Sequence, residues 1–296
     1  MIDVDIVDCH HHLWDLQNSY PWLQETAGEL QVHGDDTAIR RDYLVADLRR
    51  DAGELPLVGS VHVDAGAADG WAESQWLQAV GDEYGLPQAI VAGAHLDDPT
   101  VDELLERLAT LPNARGVRDI LNWHPDPTLS YIDRDDLMTD PQWRKGFGRL
   151  SGYGFSFDLQ VYPDQLAAAA ALAADFPSTA IALNHAGMPL DRSDDGMTLW
   201  RGGLKAMAAQ DNVQVKISGI GMTDHRWTTD SIRPVVAHCI ETFGVHRSMF
   251  GSNFPVDSLY SDYQQVYSAF DDITQELFPN ERAAIFGGTA GRFYRI

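Results

Sequence analysis

Short apolar runs alternate with longer segments of helical periodicity along nearly the whole chain. Eight of these runs are rich in β-branched residues and are bounded by turn residues, which is typical of strands. They predict strands at residues 4–9, 57–63, 89–94, 114–119, 155–159, 179–184, 213–218 and 249–251. Between them, apolar residues recur three and four positions apart and predict helices at residues 70–84, 101–111, 163–175, 193–210 and 230–243.

The alternation of strands and helices predicts a parallel sheet. The strands are nearly continuous apolar runs, which indicates a sheet buried on both faces. We therefore predict the α/β class and a single (β/α)₈ TIM-barrel domain over residues 1–296. An open doubly wound sheet is the second choice, because three histidines replace the glycine-rich turn expected after its first strand. Long irregular segments at residues 18–42, 121–140, 185–195, 219–229 and 252–260 follow predicted strands, at the end where barrels hold their active sites.

Composition narrows the classes of partner. The 296 residues include 44 acidic and 21 basic side chains, for a net charge of -23, so no basic surface is expected for nucleic acid or an anionic membrane. Cys9 and Cys239 cannot form a disulfide framework, and no signal peptide or apolar span is evident, which predicts a cytoplasmic protein. A small-molecule substrate is the expected partner. The oligomeric state stays open, a homodimer included.

Three consecutive histidines end the first predicted strand. An alternating strand would place His10 and His12 on one face, together with Asp8, and His11 on the other with Cys9. A pair of histidines two positions apart at a barrel mouth offers two neutral nitrogens, which are ligands that Zn²⁺ prefers. We predict His10 and His12 as metal ligands and leave His11 a structural role.

Longer motifs resemble the amidohydrolase superfamily, in particular the branch of small barrel hydrolases that contains lactonases for sugar lactones and for a pyrone dicarboxylate. The motifs are DCHHHLW at residues 8–14, YPWL at 20–23, GVRDILNWH at 116–124, LNHAGMP at 183–189, VKISG at 215–219 and FGSNFP at 250–255. The resemblance covers nearly the whole chain. It implies a site built from the paired histidines of strand one, a histidine that closes strand six and an aspartate after strand eight. His185 would then complete a metal-binding triad with His10 and His12.

The strand-eight position departs from the family pattern, because Asn253 stands where the resemblance implies the aspartate that activates water. Asparagine cannot accept a proton at neutral pH. Asp257, Asp119 and His225 are the candidate replacements, and His185 is a further one. A metal-bound hydroxide ranks first, since zinc alone brings the pKa of its water to about 7. Loss of the negative ligand also weakens metal binding, so weakly bound or absent zinc is the alternative.

Other polar and aromatic residues near the predicted strand ends are candidate substrate contacts. Arg118 would hold a substrate oxygen or form an ion pair at the barrel rim. The aromatic side chains would either line the substrate pocket or pack the loops, and Asp119 and His225 complete the set of candidate contacts. The aromatic residues are Trp14, Tyr20, Trp22 and Trp123.

Lys216 lies on predicted strand seven, and its position in the strand directs it into the barrel. A buried lysine needs a counter-ion, and we predict that Asp8 fills this structural role.

These features predict an enzyme, a hydrolase that opens a small lactone by attack of water on a carbonyl polarised by three histidines. Two alternatives stay open. The first is a non-oxidative decarboxylase of an aromatic or unsaturated acid, which the resemblance includes but which Asn253 disfavours. The second is a ligand-binding barrel that has lost catalysis.

Overall fold

A computed structural model describes residues 2–24 and 32–296. Eight strands form one parallel sheet in chain order, and each strand pairs with the next. They are β1 (Ile6–His11), β2 (Leu57–Val63), β3 (Ala89–Gly93), β4 (Ala114–Ile120), β5 (Ser156–Gln160), β6 (Ile181–Leu183), β7 (Val213–Ile217) and β8 (Ser248–Phe250). Just beyond β8, the amide of Asn253 donates to the carbonyl of His10 at 2.7 Å and brings the end of β8 onto β1. The sheet is the predicted (β/α)₈ barrel.

Helices surround this sheet. They are α1 (Pro21–Gln24), α2 (Val45–Ala52), α3 (Gly70–Tyr84), α4 (Val101–Leu108), α5 (Pro141–Phe147), α6 (Leu150–Tyr153), α7 (Leu166–Asp175), α8 (Asp194–Ala208), α9 (Ile220–Thr223), α10 (Thr229–Phe243), α11 (Tyr263–Ile273), α12 (Pro279–Ala283) and α13 (Thr289–Tyr294). In the described ranges, none of them combines the length and apolar character needed to cross a membrane.

The predicted bounds agree best where local sequence signals are strong. Helix α3 coincides with its prediction because the Asp69 side chain caps its first turn and Gly85 ends it in a left-handed conformation. Strand β2 also coincides. Strand β1 lies two residues later than predicted, at Ile6–His11, because its pairing with β2 continues past the apolar run as far as His11.

Two layers of apolar residues pack the barrel. The larger cluster fills the space between the sheet and its helices and includes Ile90, Phe157 and Leu183. A smaller cluster brings together side chains of β1, β2, β3, β6 and β8 with the end of α13. Its buried members are Cys9, Val61, Val63, Ala89, Val91, Ala182, Met249, Ala290, Phe293 and Tyr294. Helix α13 therefore closes the floor of the barrel, opposite the mouth.

Strand β1 contains a β-bulge that the alternating pattern did not predict. Asp8 pairs with Ser60 and His11 pairs with His62, so two residues of β1, Cys9 and His10, lie opposite a single residue of β2. A bulge of this kind interrupts the alternation of side chains.

The bulge makes the predicted placement of Asp8 wrong. Its carboxylate turns toward α11, where it accepts hydrogen bonds from the Ser252 hydroxyl at 2.6 Å and the Tyr263 hydroxyl at 2.9 Å. Cys9 instead packs in the small interior cluster. Asp8 therefore does not share a face with His10 and His12.

Lys216 is fully buried in the barrel, but its predicted pairing with Asp8 is also wrong. Its ammonium lies 2.5 Å from the Asp158 carboxylate, and the Tyr294 hydroxyl donates to the same carboxylate at 2.7 Å. Asp158 on β5 faces into the barrel and reaches Lys216, whereas the Asp8 carboxylate is bonded to Ser252 and Tyr263. The three groups form a polar cluster at the barrel floor.

Candidate active site

The three predicted histidines meet at the barrel mouth. The ring centroid of His10 lies 4.4 Å from that of His185 and 5.2 Å from that of His12. All three side chains are buried. His185 follows β6 in a turn where it has a φ of 54°, a left-handed conformation that costs a non-glycine residue about 1–3 kcal/mol and is typical of functional sites. Its Nδ1 lies 3.0 Å from the Ser218 hydroxyl.

Burial is the main reason that the pKa of each of these histidines lies well below its ordinary value. Repulsion from Arg118 also lowers the pKa of His12 and His185, and repulsion from Lys216 that of His185. The three imidazoles are therefore neutral at pH 7. Each keeps one nitrogen lone pair with which it can accept a proton or bind an electrophile.

The hydrogen bonds of His12 identify its free lone pair. Its Nδ1 lies 2.7 Å from the carbonyl of Val63, which can only accept, so Nδ1 holds the ring proton. In the neutral ring Nε2 then has no proton, and it lies 3.3 Å from Oδ1 of Asn253. Two acceptors therefore face each other at the mouth of the barrel. Such a pair needs a hydrogen-bond donor or a cation from a ligand to satisfy both atoms.

Asn253 is oriented by Asp257. Its amide Nδ2 donates to Oδ1 of Asp257 at 3.0 Å, which directs Oδ1 of Asn253 toward His12. Asn253 also has a left-handed backbone, with a φ of 57°, which asparagine tolerates better than most residues. Burial raises the pKa of Asp257 to about 7, although the Asn253 amide and the Gly221 backbone amide oppose the shift.

A cavity of about 210 Å³ opens beside these groups. Its lining is His12, Trp22, His33, Ala65, Gly66, Arg118, Ile120, Tyr131, Gln160, His185, Met222, Asn253 and Val256. Most of the wall is apolar, and a few polar groups lie among the apolar side chains, as is usual for a small-molecule site. Five of the predicted site residues line this cavity: His12, Trp22, Arg118, His185 and Asn253.

Arg118 forms the ion pair considered for it and also lines the cavity. Its Nε donates to the Asp64 carboxylate at 3.2 Å and its Nη1 donates to Gln160 Oε1 at 3.2 Å. Its Nη2 donates to the backbone carbonyl of Asp64. The guanidinium is thus paired with Asp64 and also forms part of the cavity wall. Trp22 is held similarly, because its Nε1 donates to the Ala65 carbonyl at 2.7 Å.

Other predicted contacts lie away from this cavity. Asp119 accepts from the Trp143 indole at 2.9 Å and from the Leu96 amide at 3.1 Å, and it is 3.3 Å from His95. His225 stacks on Tyr260. The structure therefore does not support either residue as the replacement for the missing aspartate. Asp257 is the one of the three candidates in contact with Asn253.

Three of the four predicted aromatic contacts are structural rather than pocket residues. Trp14 is fully buried behind His12, and its indole donates to the Arg41 carbonyl. Tyr20 is fully buried, and Trp123 is partly buried with its backbone amide bonded to Gln165. Of the four, Trp22 alone lines the cavity within the described chain.

Sequence reasoning missed His33, Tyr131 and Gln160, which also line the cavity. Gln160 ends β5 two positions after the inward-facing Asp158, so the strand period could have identified it. His33 and Tyr131 belong to long loops without any periodicity. No local signal in the sequence distinguished them.

The rings of His10, His12 and His185 are not arranged as a preformed metal-binding site. Across the two described ranges, no three His, Cys, Asp or Glu side chains are arranged to hold a metal ion. Both ring nitrogens of His10 are buried and lack a hydrogen-bond partner among the described residues, so its lone pair is free to bind an ion or a water molecule. The donor set of neutral nitrogens and one amide oxygen also lacks the carboxylate that strengthens binding of a dication. The side chains are therefore not arranged around one ion in these positions, while their neutral nitrogens are of the kind that zinc binds.

Comparisons with known proteins agree with this architecture. A family model described as amidohydrolase matches residues 7–296. The chain is 42% identical over 299 residues to "Uncharacterized protein y4mH" of Sinorhizobium fredii, covering all of both chains. It is 29% identical to L-fucono-1,5-lactonase of Burkholderia multivorans, over 98% of this chain and 96% of that protein.

A solved structure is also similar. The crystal structure of an amidohydrolase from Burkholderia multivorans with bound zinc superposes with a TM-score of 0.83 at 26% identity, over 99% of this chain and 100% of that one. The family model and the barrel with its histidine cluster agree with the resemblance seen in the motifs. The chain belongs to the amidohydrolase family.

Proposed function

We propose that this protein is a lactonase that opens a small cyclic ester with water. The observation that carries the proposal is the pair of acceptors, His12 Nε2 and Asn253 Oδ1, at 3.3 Å beside a mostly apolar cavity. This pair is suited to hold a water molecule by its two hydrogens. The similarity to L-fucono-1,5-lactonase supports a sugar-derived lactone as the substrate class.

The first step is attack of this water on the lactone carbonyl. As the new carbon–oxygen bond forms, His12 Nε2 takes the proton and becomes positively charged. The Val63 carbonyl, which accepts from Nδ1 at 2.7 Å, stabilises that charge. Asn253 holds the second hydrogen and keeps the water oriented.

The second step is collapse of the tetrahedral intermediate. The negative oxygen lies in a cavity lined by His185 and Arg118, whose hydrogens can stabilise it. The bond between the carbonyl carbon and the ring oxygen then breaks. His12 returns its proton to the ring oxygen, and the product is an open-chain hydroxy acid.

Asp257 acts as a positioning residue in this proposal. It does not line the cavity, so it cannot reach the attacking water directly. Its ionised form accepts from the amide of Asn253 and keeps Oδ1 of that amide turned toward His12. Asp257 therefore has a function that does not require a proton to pass through the Asn253 amide.

Zinc at His10, His12 and His185 stays a prediction of the sequence. A bound zinc ion would polarise the carbonyl and lower the pKa of a bound water. Because the donor atoms do not converge, the steps above use only side chains of this chain.

The test is hydrolysis of a sugar 1,5-lactone by the purified protein, followed with a pH indicator. We expect turnover, and a loss of about 100-fold or more in kcat/KM for His12→Asn, the usual size of a general-base effect. His238→Asn, a histidine of α10 that contacts Trp200 outside the cavity, is the matched control and should keep full activity. Equal activity of His12→Asn and the control would contradict the proposal.

The metal question is tested with the same assay after treatment with a chelator and after addition of zinc. We expect activity to survive chelation. Activity that returns only with zinc would show that a metal, rather than His12, activates the water. Asn253→Asp restores the carboxylate and should raise the zinc content of the purified protein above that of the unaltered chain.

A further inference from the structure

His33 is a cavity residue to which neither the motifs nor the proposed mechanism assign a task. It lies in the loop that follows β1, it is buried, and it lines the same cavity as His12, His185 and Asn253. Its Nε2 has no hydrogen-bond partner among the described residues. A buried polar nitrogen without a partner destabilises the empty site, and a ligand that supplies the partner removes this cost.

The backbone around His33 is held at the cavity by contacts with the loops after β7 and β8. The Tyr260 hydroxyl donates to the His33 carbonyl at 2.5 Å, and His225 Nε2 lies 3.3 Å from the Val32 carbonyl. Tyr260 and His225 stack on each other with ring centroids 4.1 Å apart. These contacts join the loop after β1 to the loops after β7 and β8, so the position of His33 is set by the fold.

The His33 ring itself is supported by its own loop. Its Nε2 lies 3.9 Å from the Asp36 carboxylate. Arg40 donates two hydrogen bonds to that carboxylate, of 2.7 and 3.1 Å. The Trp22 ring packs edge-on against it at 5.6 Å. At 3.9 Å the Asp36 carboxylate is too far to satisfy Nε2 with a hydrogen bond, so this nitrogen stays available to a molecule in the cavity.

The chemistry of His33 selects the kind of group it would bind. Burial lowers its pKa, although Asp36 opposes the shift, so the ring is neutral at pH 7. A neutral imidazole can accept or donate one hydrogen bond, which matches a hydroxyl group, itself both donor and acceptor. A carboxylate would be repelled by the neighbouring Asp36 and is bound more strongly by a cation.

We propose that His33 is a specificity residue that binds a ring hydroxyl of the substrate, so that the enzyme prefers hydroxylated lactones to unsubstituted ones. This inference rests on the proposed function and deepens it. His33 would act on recognition, whereas His12 and Asn253 act on the water. Loss of His33 should therefore remove a preference between substrates without removing the chemistry.

The test uses binding, which does not depend on turnover. Two lactams serve as stable analogues: a sugar-derived 1,5-lactam with its hydroxyls, and δ-valerolactam, the same ring without them. By isothermal titration we expect the unaltered protein to bind the hydroxylated lactam about tenfold or more tighter, the value of one satisfied polar group. His33→Phe, which keeps a ring against Trp22, should bring the two affinities within about twofold of each other.

Two further variants sharpen the result. His33→Asn keeps a donor and an acceptor and should retain part of the preference. His238→Phe, the same change outside the cavity, should leave the preference intact. An equal loss of affinity for both lactams in His33→Phe would overturn the proposal, because it would show a structural role. Absence of any preference in the unaltered protein would overturn it as well.

The outcome separates this inference from the proposed function. If the unaltered protein binds the hydroxylated lactam preferentially through His33 but hydrolyses no lactone, the lactonase proposal fails and the recognition role of His33 stands. If it hydrolyses lactones and His33→Phe leaves the substrate preference unchanged, the recognition role fails and the lactonase proposal stands.

Discussion

At the residue scale, the buried contact between Asn253 and Asp257 bears on both the stability of the protein and the proposed reaction. An asparagine in place of the family's aspartate avoids a second negative charge beside Asp257, whose carboxylate is buried 3.0 Å from the amide. Two buried carboxylates at that distance would have to share a proton. The amide removes this repulsion and still presents an oxygen to His12. Water activation then depends on the histidine.

The raised pKa of Asp257 predicts how stability changes with pH. Its folded pKa is about 7 against an ordinary value of 3.8, so the folded state holds the proton more tightly. The free energy of unfolding should therefore fall as the pH rises through this range, by at most about 4 kcal/mol from this group. Asp257→Asn should reduce the loss of Tm between pH 5 and pH 8.

Calorimetry at the two pH values measures this effect, and Asp211→Asn, an exposed turn residue, is the matched control. The same variant should lower kcat/KM about tenfold or more, since Asn253 loses its orienting carboxylate. An Asp257→Asn protein whose Tm varies with pH as much as that of the control would contradict the assigned pKa.

At the scale of elements, the loops at the carboxyl ends of the strands place the histidines. The turn after β6 takes His185 and Ala186 into the left-handed region, and Gly219 after β7 packs directly against the His185 ring. The bulge in β1 changes the phase of that strand between Asp8 and His11. A strict two-residue period predicted the cluster correctly for His10 and His12 but predicted the wrong face for Asp8.

Gly219 gives a prediction at this scale. It has a φ of 61°, and a Cβ there would collide with Nδ1 of His185. We expect Gly219→Ala to destabilise the protein by about 1–3 kcal/mol and to lower kcat/KM strongly, because the ring must move. Gly152→Ala, at a glycine of α6 with no atom near its Cβ position, should be neutral or slightly stabilising. Similar Tm values for the two variants would contradict the tight packing around His185.

At the scale of the whole molecule, the two ends of the barrel differ. The candidate active site lies at the mouth, and a buried polar cluster lies at the floor. At the floor, the hydroxyl of Tyr294 from the last helix and the ammonium of Lys216 both contact the Asp158 carboxylate. Removing one member of a buried ion pair leaves the other charge uncompensated in a low-dielectric environment. This cluster therefore ties the end of the chain to the barrel interior.

The floor cluster predicts a set of stabilities. Lys216→Met should cost about 3–5 kcal/mol, because Asp158 loses its counter-ion. Tyr294→Phe should cost about 1–3 kcal/mol, because one hydrogen bond is lost. Urea unfolding measures both, and the double variant should cost less than the sum because both residues act on one carboxylate. Additive costs would show that the two contacts are independent.

The sequence by itself determined the order of strands and helices and the barrel, and its motifs named the three histidines that the structure places together. Apolar periodicity and local motifs depend on neighbours along the chain, so they were readable without coordinates. The tertiary structure alone decided the bulge in β1, the partner of Lys216, the contact of Asn253 with Asp257 rather than with Asp119 or His225, and the presence of His33 at the cavity. Each of these depends on contacts between residues far apart in sequence, and such contacts leave no local pattern to read.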